Sequence, residues 1–305
     1  MKTITLNTDT KMPIIGLGTF LSAPGEVYQA VRWAIKLGYK HIDCASVYGN
    51  QKEIGQALHD AFVEGDVKRE ELFVTSKLWN DSHNIDDVRP AFEQTLKELQ
   101  LDYLDLYLMH WPVAQAKGTV MPKEDEDWIS LKDIPLWETW SEMEKLYNEG
   151  LCKAIGVSNF NEDNLQGLID KTQVVPAVNQ VESHPLLSQN DLIEFCRKNN
   201  IAITAYSPLG AQRSEGGILE NSVITDIANR IKATPAQVVL AWQIKREIIV
   251  IPKSVHENRI RENYASLVVE LDENDIEMIN NLNQNYRFFD GLAFTNPNKG
   301  YDKIF

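Results

Sequence analysis

The strongest constraint in this chain is a rhythm. Eight short apolar runs, Ile14–Gly18, Tyr39–Asp43, Leu72–Lys77, Leu104–His110, Ala154–Val157, Ala177–Val181, Ala202–Tyr206 and Ile248–Pro252, alternate with segments of helical periodicity. Short runs bounded by turn signals suit strands buried on both faces, as in parallel sheets covered by helices. Between them, Glu26–Leu37 repeats Val27, Ala30, Val31, Ala34 and Ile35, and Asp86–Leu99 repeats Val88, Phe92, Leu96 and Leu99. Leu136–Tyr147, Asn164–Ile169, Gln189–Lys198, Val223–Ile231 and Pro235–Lys245 continue the pattern. Gly38 follows the end of one helix, and Thr234-Pro235 opens another with a cap and a first-turn proline. Eight strand–helix repeats predict a (β/α)8 TIM barrel. A doubly wound sheet is the alternative, but it offers no reason for eight repeats. Its glycine fingerprint is also missing: Gly16-x-Gly18 is followed by Leu21 at the third position, and no helix begins directly behind it.

Residues 2–6 and 11–14 flank Asn7–Thr10 and predict an N-terminal β-hairpin. No linker or low-complexity tract interrupts the chain, so residues 1–305 read as one barrel domain. Three segments break the rhythm: the acidic stretch 112–135, the glycine-rich stretch 209–217 with Gly210, Gly216 and Gly217, and the tail from Asn283 to Phe305. Long loops in compact domains commonly form lids or binding loops, the plain alternative being a solvated excursion.

Charge and composition narrow the partners. A net charge of −14 argues against nucleic acid, because phosphate neutralisation needs a basic face. No apolar run approaches the roughly 18 residues of a membrane span, and Met1-Lys-Thr-Ile-Thr-Leu-Asn lacks a signal peptide's apolar region. A cytoplasmic protein, monomeric or weakly dimeric, is expected. Cys44, Cys152 and Cys196 are odd in number and widely spaced, as reduced thiols would be. Cys44 beside Asp43 reads as small-residue packing on a strand in preference to a reactive thiol. The six histidines show no metal-ligand spacing.

In a barrel the carboxyl ends of the strands converge on one face, where the chemistry of such folds is found. Here those ends carry Thr19 and Phe20, Asp43 with Tyr48, Lys77, His110, Ser158 and Asn159, Gln180, Tyr206 and Ser207, and Lys253 with Ser254. Taken singly, Lys77 reads as a solvated strand terminus and His110 as a core histidine. Together they make a recognisable set. A phenol has a pKa of about 10, and a neighbouring ammonium favours its phenolate. Asp43 would hold Lys77 charged, Tyr48 would protonate a developing alkoxide, and His110 would hydrogen-bond a substrate oxygen. That chemistry is carbonyl reduction, and its hydride must come from a cofactor. Lys253, Ser254 and Arg259, after the eighth strand and into the next helical segment, offer a basic seat for an adenosine 2′-phosphate. The competing reading there is a surface helix of alternating charge.

Four motifs in order, Gly38-Tyr-Lys-His-Ile-Asp-Cys-Ala-Ser-Val-Tyr-Gly-Asn50, Leu101-Asp-Tyr-Leu-Asp-Leu-Tyr-Leu-Met-His-Trp-Pro112, Gly156-Val-Ser-Asn-Phe160 and Ile251-Pro-Lys-Ser254, resemble the aldo-keto reductases. The resemblance runs from about Ile14 to Asn283. It implies a barrel that binds NADP(H) extended, with Tyr48 as proton donor, Asp43 and Lys77 tuning it, and His110 orienting the carbonyl. It further implies that Thr19 and Asp43 border the cofactor, that Ser158, Asn159 and Gln180 hold its carboxamide and that Tyr206 stacks on the nicotinamide. Ser207, Leu209 and the glycine-rich 209–217 stretch, as a flap, would cover the pyrophosphate, Lys253, Ser254 and Arg259 would grip the 2′-phosphate, and Glu262 and Asn263 would meet the adenine. Phe20, Trp79 and Trp111, with His110, would wall a small-molecule carbonyl substrate. Many relatives carry Trp where this chain has Phe20, and the tail beyond Asn283 matches least. The expected activity is reduction of aldehydes to alcohols, with aldoses or ketones as further candidate substrates. A polyol or ketosteroid oxidoreductase and a regulatory NADPH-binding subunit with little turnover are the alternatives.

Overall fold

The computed structural model describes residues 2–210 and 217–305. The elements run β1 (Thr3–Thr5), β2 (Lys11–Pro13), β3 (Leu17–Gly18), α1 (Glu26–Leu37), β4 (His41–Asp43), α2 (Gln51–Val63), β5 (Phe73–Leu78), α3 (Ile85–Leu99) and β6 (Leu106–Met109). Then come β7 (Ala114–Gln115), β8 (Trp128–Ile129), α4 (Leu136–Asn148), β9 (Ile155–Ser158), α5 (Glu162–Ile169), β10 (Val178–Glu182), α6 (Asn190–Lys198) and β11 (Ala202–Tyr206). The chain ends through α7 (Ser222–Ile231), α8 (Pro235–Lys245), β12 (Ile249–Val250), α9 (Glu257–Tyr264) and α10 (Glu273–Asn280). Eight of these strands pair in parallel, in the order β3-β4-β5-β6-β9-β10-β11-β12. The first and last meet through parallel bridges Ile15–Val250 and Gly18–Lys253, with the Gly16 amide on the Val250 carbonyl at 2.8 Å. The sheet closes into the barrel expected from the eight runs.

Local chemistry explains the helices. α1 buries Val27, Ala30, Val31, Ala34 and Ile35 on one stripe and ends at Gly38, whose φ of 101° puts its amide back on the Ala34 and Ile35 carbonyls. α8 opens with a capping box between Thr234 and Gln237 and has Pro235 in its first turn. Two departures from strict alternation matter: β11 is followed by two helices, α7 and α8, and β12 by α9 and α10.

The predicted hairpin forms as β1–β2. It closes the amino end of the barrel, since Asn7 Nδ2 reaches the Val175 and Pro176 carbonyls just before β10, and Lys2 Nζ reaches the Ile244 carbonyl before β12. The opposite mouth carries the long excursions. The 112–135 segment holds a second hairpin, β7–β8. The tail locks onto it: Tyr301 Oη receives the Ala114 amide at 3.0 Å and donates to the Ile129 carbonyl at 2.7 Å, while Trp128 Nε1 donates to the Phe294 carbonyl at 3.1 Å. Trp79, Trp111, Val113, Trp128, Phe294, Tyr301 and Ile304 form one apolar cluster there. Of the glycine-rich 209–217 stretch, residues 211–216, including Gly216, lie outside the described residues. Cys44, Cys152 and Cys196 are all buried free thiols, and burial pushes each thiol upward. Packing is therefore the role the structure gives Cys44.

Candidate active site

The site is assembled by strand ends. β4 delivers Asp43, and the turn Ser46–Tyr48 behind it delivers Tyr48, closed by Gly49 at φ 69°. β5 carries Lys77, β6 is followed by His110, and β3 is followed by Thr19 and Phe20. Because side chains alternate along a strand, Lys77 points to the barrel interior, where it is wholly buried. Its ammonium lies 2.5 Å from Asp43 Oδ1, 2.8 Å from the Cys44 carbonyl and 3.4 Å from Tyr48 Oη. Asp43 Oδ2 receives Gln180 Nε2 at 2.7 Å, so both carboxylate oxygens are held. A buried ion pair is tolerable only with its remaining lone pairs and protons satisfied, and here they are.

Burial works against the Lys77 ammonium, but Asp43 and Tyr48 outweigh it and its pKa is raised. Lys77 stays charged. For Tyr48 the balance differs from the simple expectation of a lowered phenol. Burial raises its pKa, Lys77 lowers it, Asp43 raises it again, and the net direction is upward. The ammonium's pull is present but overmatched by desolvation, so the resting site holds a protonated phenol. His110 is driven well below the ordinary imidazole value by burial first and then by Lys77 and His83. A neutral ring results. Its Nδ1 is buried without a hydrogen-bond partner among the described residues. The ring stands edge-on to Tyr48 with centroids 5.9 Å apart, and edge-on to Trp79 at 5.0 Å.

Phe20, 42% exposed, covers the other side of Tyr48 with ring centroids 5.0 Å apart. Trp79 and Trp111 are drawn together by Phe294 of the tail, at 6.0 and 4.7 Å respectively. The three predicted aromatic residues therefore border one mouth, with tail residues added to them.

Ser158, Asn159 and Gln180 cluster on β9, β10 and the turn between: Ser158 Oγ donates to the Gln180 carbonyl at 2.8 Å, and Asn159 Nδ2 donates to the His110 carbonyl at 3.0 Å. Tyr206 Oη donates to Asn159 Oδ1 at 2.8 Å. Asn159 and Ser207 both adopt left-handed backbone, at φ 63° and 46°. Asparagine enters that region readily, and serine does so less readily. Thr19 is buried, and its hydroxyl donates to the Asp43 carbonyl at 2.8 Å, bracing the strand that carries the carboxylate.

The second cluster lies at the turn from β12 to α9. Lys253 and Arg259 are exposed and Ser254 is buried. Lys253 Nζ reaches the Leu21 carbonyl at 3.3 Å, and Ser254 Oγ receives the His256 amide at 3.1 Å. Glu262 accepts from Thr234 Oγ1 at 2.6 Å, while Asn263 is buried one residue further. Leu209 is half-buried against the core. Among the described residues no group of three His, Cys, Asp or Glu side chains could hold a metal ion, and no helix is long and apolar enough to cross a membrane. One feature escaped the sequence reading: Glu182, wholly buried on β10 and bound to the tail. Period-two alternation from Gln180 is the signal that could have found it.

A closed eight-stranded barrel with an ion-paired lysine, a phenol and a neutral imidazole at its carboxyl-end mouth defines a barrel oxidoreductase. The chain belongs to the aldo/keto reductase family, whose model matches residues 14–284. It is 45% identical to human aldo-keto reductase family 1 member A1, over 93% of this chain and 90% of that protein. An aldo/keto reductase from Synechocystis sp. is 43% identical over 99% of this chain and 94% of its own length. The solved structure of the aldose reductase from Schistosoma japonicum superposes with a TM-score of 0.91 at 42% identity, covering 96% of both chains.

Proposed function

We propose that this protein reduces aldehydes to alcohols with NADPH. The observation that carries the reading is the contact series Asp43–Lys77–Tyr48 beside a neutral His110. The donor set fits the cofactor. Ser158, Asn159 and Gln180 present hydroxyl and amide groups suited to a carboxamide, and Tyr206 presents a half-buried ring suited to stacking. Lys253 and Arg259 are exposed cations on a molecule of net charge −14, with Ser254 before the α9 N-terminus, as a phosphate dianion requires. Ser207 and Leu209 would border the pyrophosphate, Thr19 would brace Asp43 beside the nicotinamide, and Glu262 and Asn263 would meet the adenine.

NADPH, when bound, would supply the hydride. Tyr48 then gives its phenolic proton to the forming alkoxide, and Lys77 stabilises the phenolate left behind. Asp43, with the Cys44 carbonyl, keeps the ammonium charged and aimed at the phenol. His110, being neutral, offers a ring N–H to the carbonyl oxygen without competing for the proton. Phe20, Trp79 and Trp111 exclude water from the reacting carbon. Aldoses belong to the proposed substrate range, in keeping with the aldose reductase among the structural neighbours.

The test is NADPH oxidation with a panel of aldehydes, an aldose and a steroid ketone. Turnover on small aldehydes supports the reading, and tight cofactor binding without turnover on any of them would sink it. Lys253 and Arg259 further predict a higher kcat/KM with NADPH than with NADH. The preference should shrink by about tenfold in Lys253→Met, the scale of one charge-assisted contact.

A further inference from the structure

Glu182 is a carboxyl that the reaction leaves unused. It stands two residues beyond Gln180 on β10 and is wholly buried. Its oxygens are satisfied by the backbone of a segment more than a hundred residues away. Oε1 receives the Phe288 amide at 2.8 Å and Oε2 receives the Phe289 amide at 3.1 Å. His184 Nε2 also lies 2.9 Å from Oε1. A carboxyl out of water is costly unless its acceptors are filled, so the tail and Glu182 stabilise each other only when joined.

The join reaches the site. Tyr206 is the register partner of Glu182 on β11, and the Phe289 ring packs edge-on against it with centroids 5.9 Å apart. Phe288 packs against His184 at 4.9 Å and over Gly210, where an added Cβ would meet its ring at 2.9 Å. Tyr206 in turn donates to Asn159, which donates to the His110 carbonyl. Further along, the same tail supplies Phe294 to Trp79 and Trp111.

We infer that Glu182 is a positioning residue: through the Phe288 and Phe289 amides it seats the tail on the barrel mouth and so sets the wall that large aldehydes meet. The substrate part of this statement rests on the proposed reductase reading, and the tail-seating part does not. Glu182→Gln is the informative change, because both oxygens accept N–H groups and an amide nitrogen in either place would face a donor.

In the full-length protein, hydrogen exchange at the Phe288 and Phe289 amides should speed up by about tenfold in Glu182→Gln, with β5 and β6 unchanged. Unaltered exchange in the tail overturns the inference, whatever the enzyme reduces. In NADPH oxidation, KM for a bulky aromatic aldehyde should rise about tenfold while kcat and KM for a small aliphatic aldehyde hold. A merely structural carboxyl would lower the melting temperature and leave that discrimination intact, which would also overturn the inference. Phe289→Ala, with Glu182 in place, should give the same KM change, and the double variant should be no worse than either single one. Additive effects would mean that Glu182 acts by another route. Should Glu182→Gln fail to fold, an unchanged KM in Phe289→Ala is the overturning result. Absence of any aldehyde turnover in the parent protein would defeat the reductase reading, and the exchange comparison would still decide the seating of the tail.

Discussion

At the scale of single residues, the site works by separating two pKa values that water would leave fixed. Lys77 is kept charged by Asp43, and His110 is kept neutral by burial and by that same lysine. Tyr48→Phe should lower turnover by about 10³-fold, within the usual range for a lost general acid. NADPH binding, followed by fluorescence titration, should be nearly unchanged, since only one oxygen is removed. The pH–rate profile carries a second expectation. With His110 driven well below 6.5, kcat should show no loss on crossing that value, and it should fall only in the alkaline range as the phenol gives up its proton. An inflection near pH 6.5 that disappears in His110→Asn would contradict the neutral assignment. The placement of these side chains was legible because strand ends can be read from apolar runs. The net direction of the Tyr48 shift was not, because desolvation depends on how Phe20 and the opposite wall close over the ring.

Among elements, the seam between β3 and β12 is closely packed. At Gly18 an added Cβ would sit 2.6 Å from the Ile251 carbonyl, a backbone atom that cannot step aside. Gly18→Ala should therefore cost about 1–3 kcal/mol, read as a lower urea midpoint, the range typical of overpacking. An unchanged midpoint would mean that the seam is slack. The barrel strands and most helices were readable because their signals are local: apolar period, caps such as Thr234, and the glycine after α1. In sequence, β7–β8 shows only as an overlong loop. Each of its strands is two residues, and it owes its place to Tyr301 and Trp128, partners that no local pattern announces. Glu182 shows the same limit. Its strand was legible, and its partner in the tail was not.

For the molecule as a whole, acid is the revealing stress. His41 and His83 are buried, and burial, aided by Lys77 at His41, takes both down to about 3. Their folded-state values lie below the unfolded value of about 6.5, so the unfolded chain binds protons that the native one refuses. Stability should be at its full value above about pH 6.5 and should decline steadily toward the folded-state value near 3. Melting temperature against pH measures it, and a flat curve from neutrality to pH 4 would contradict the buried, neutral assignment. We expect one cooperative transition throughout. The two excursions over the mouth carry a practical lesson for exchange between relatives. Tyr301 spans both strands of the 114–129 hairpin, and Trp128 returns a bond to the tail. A donor's tail grafted alone onto this barrel would thus arrive without its counterpart, and specificity should transfer only when the hairpin travels with it.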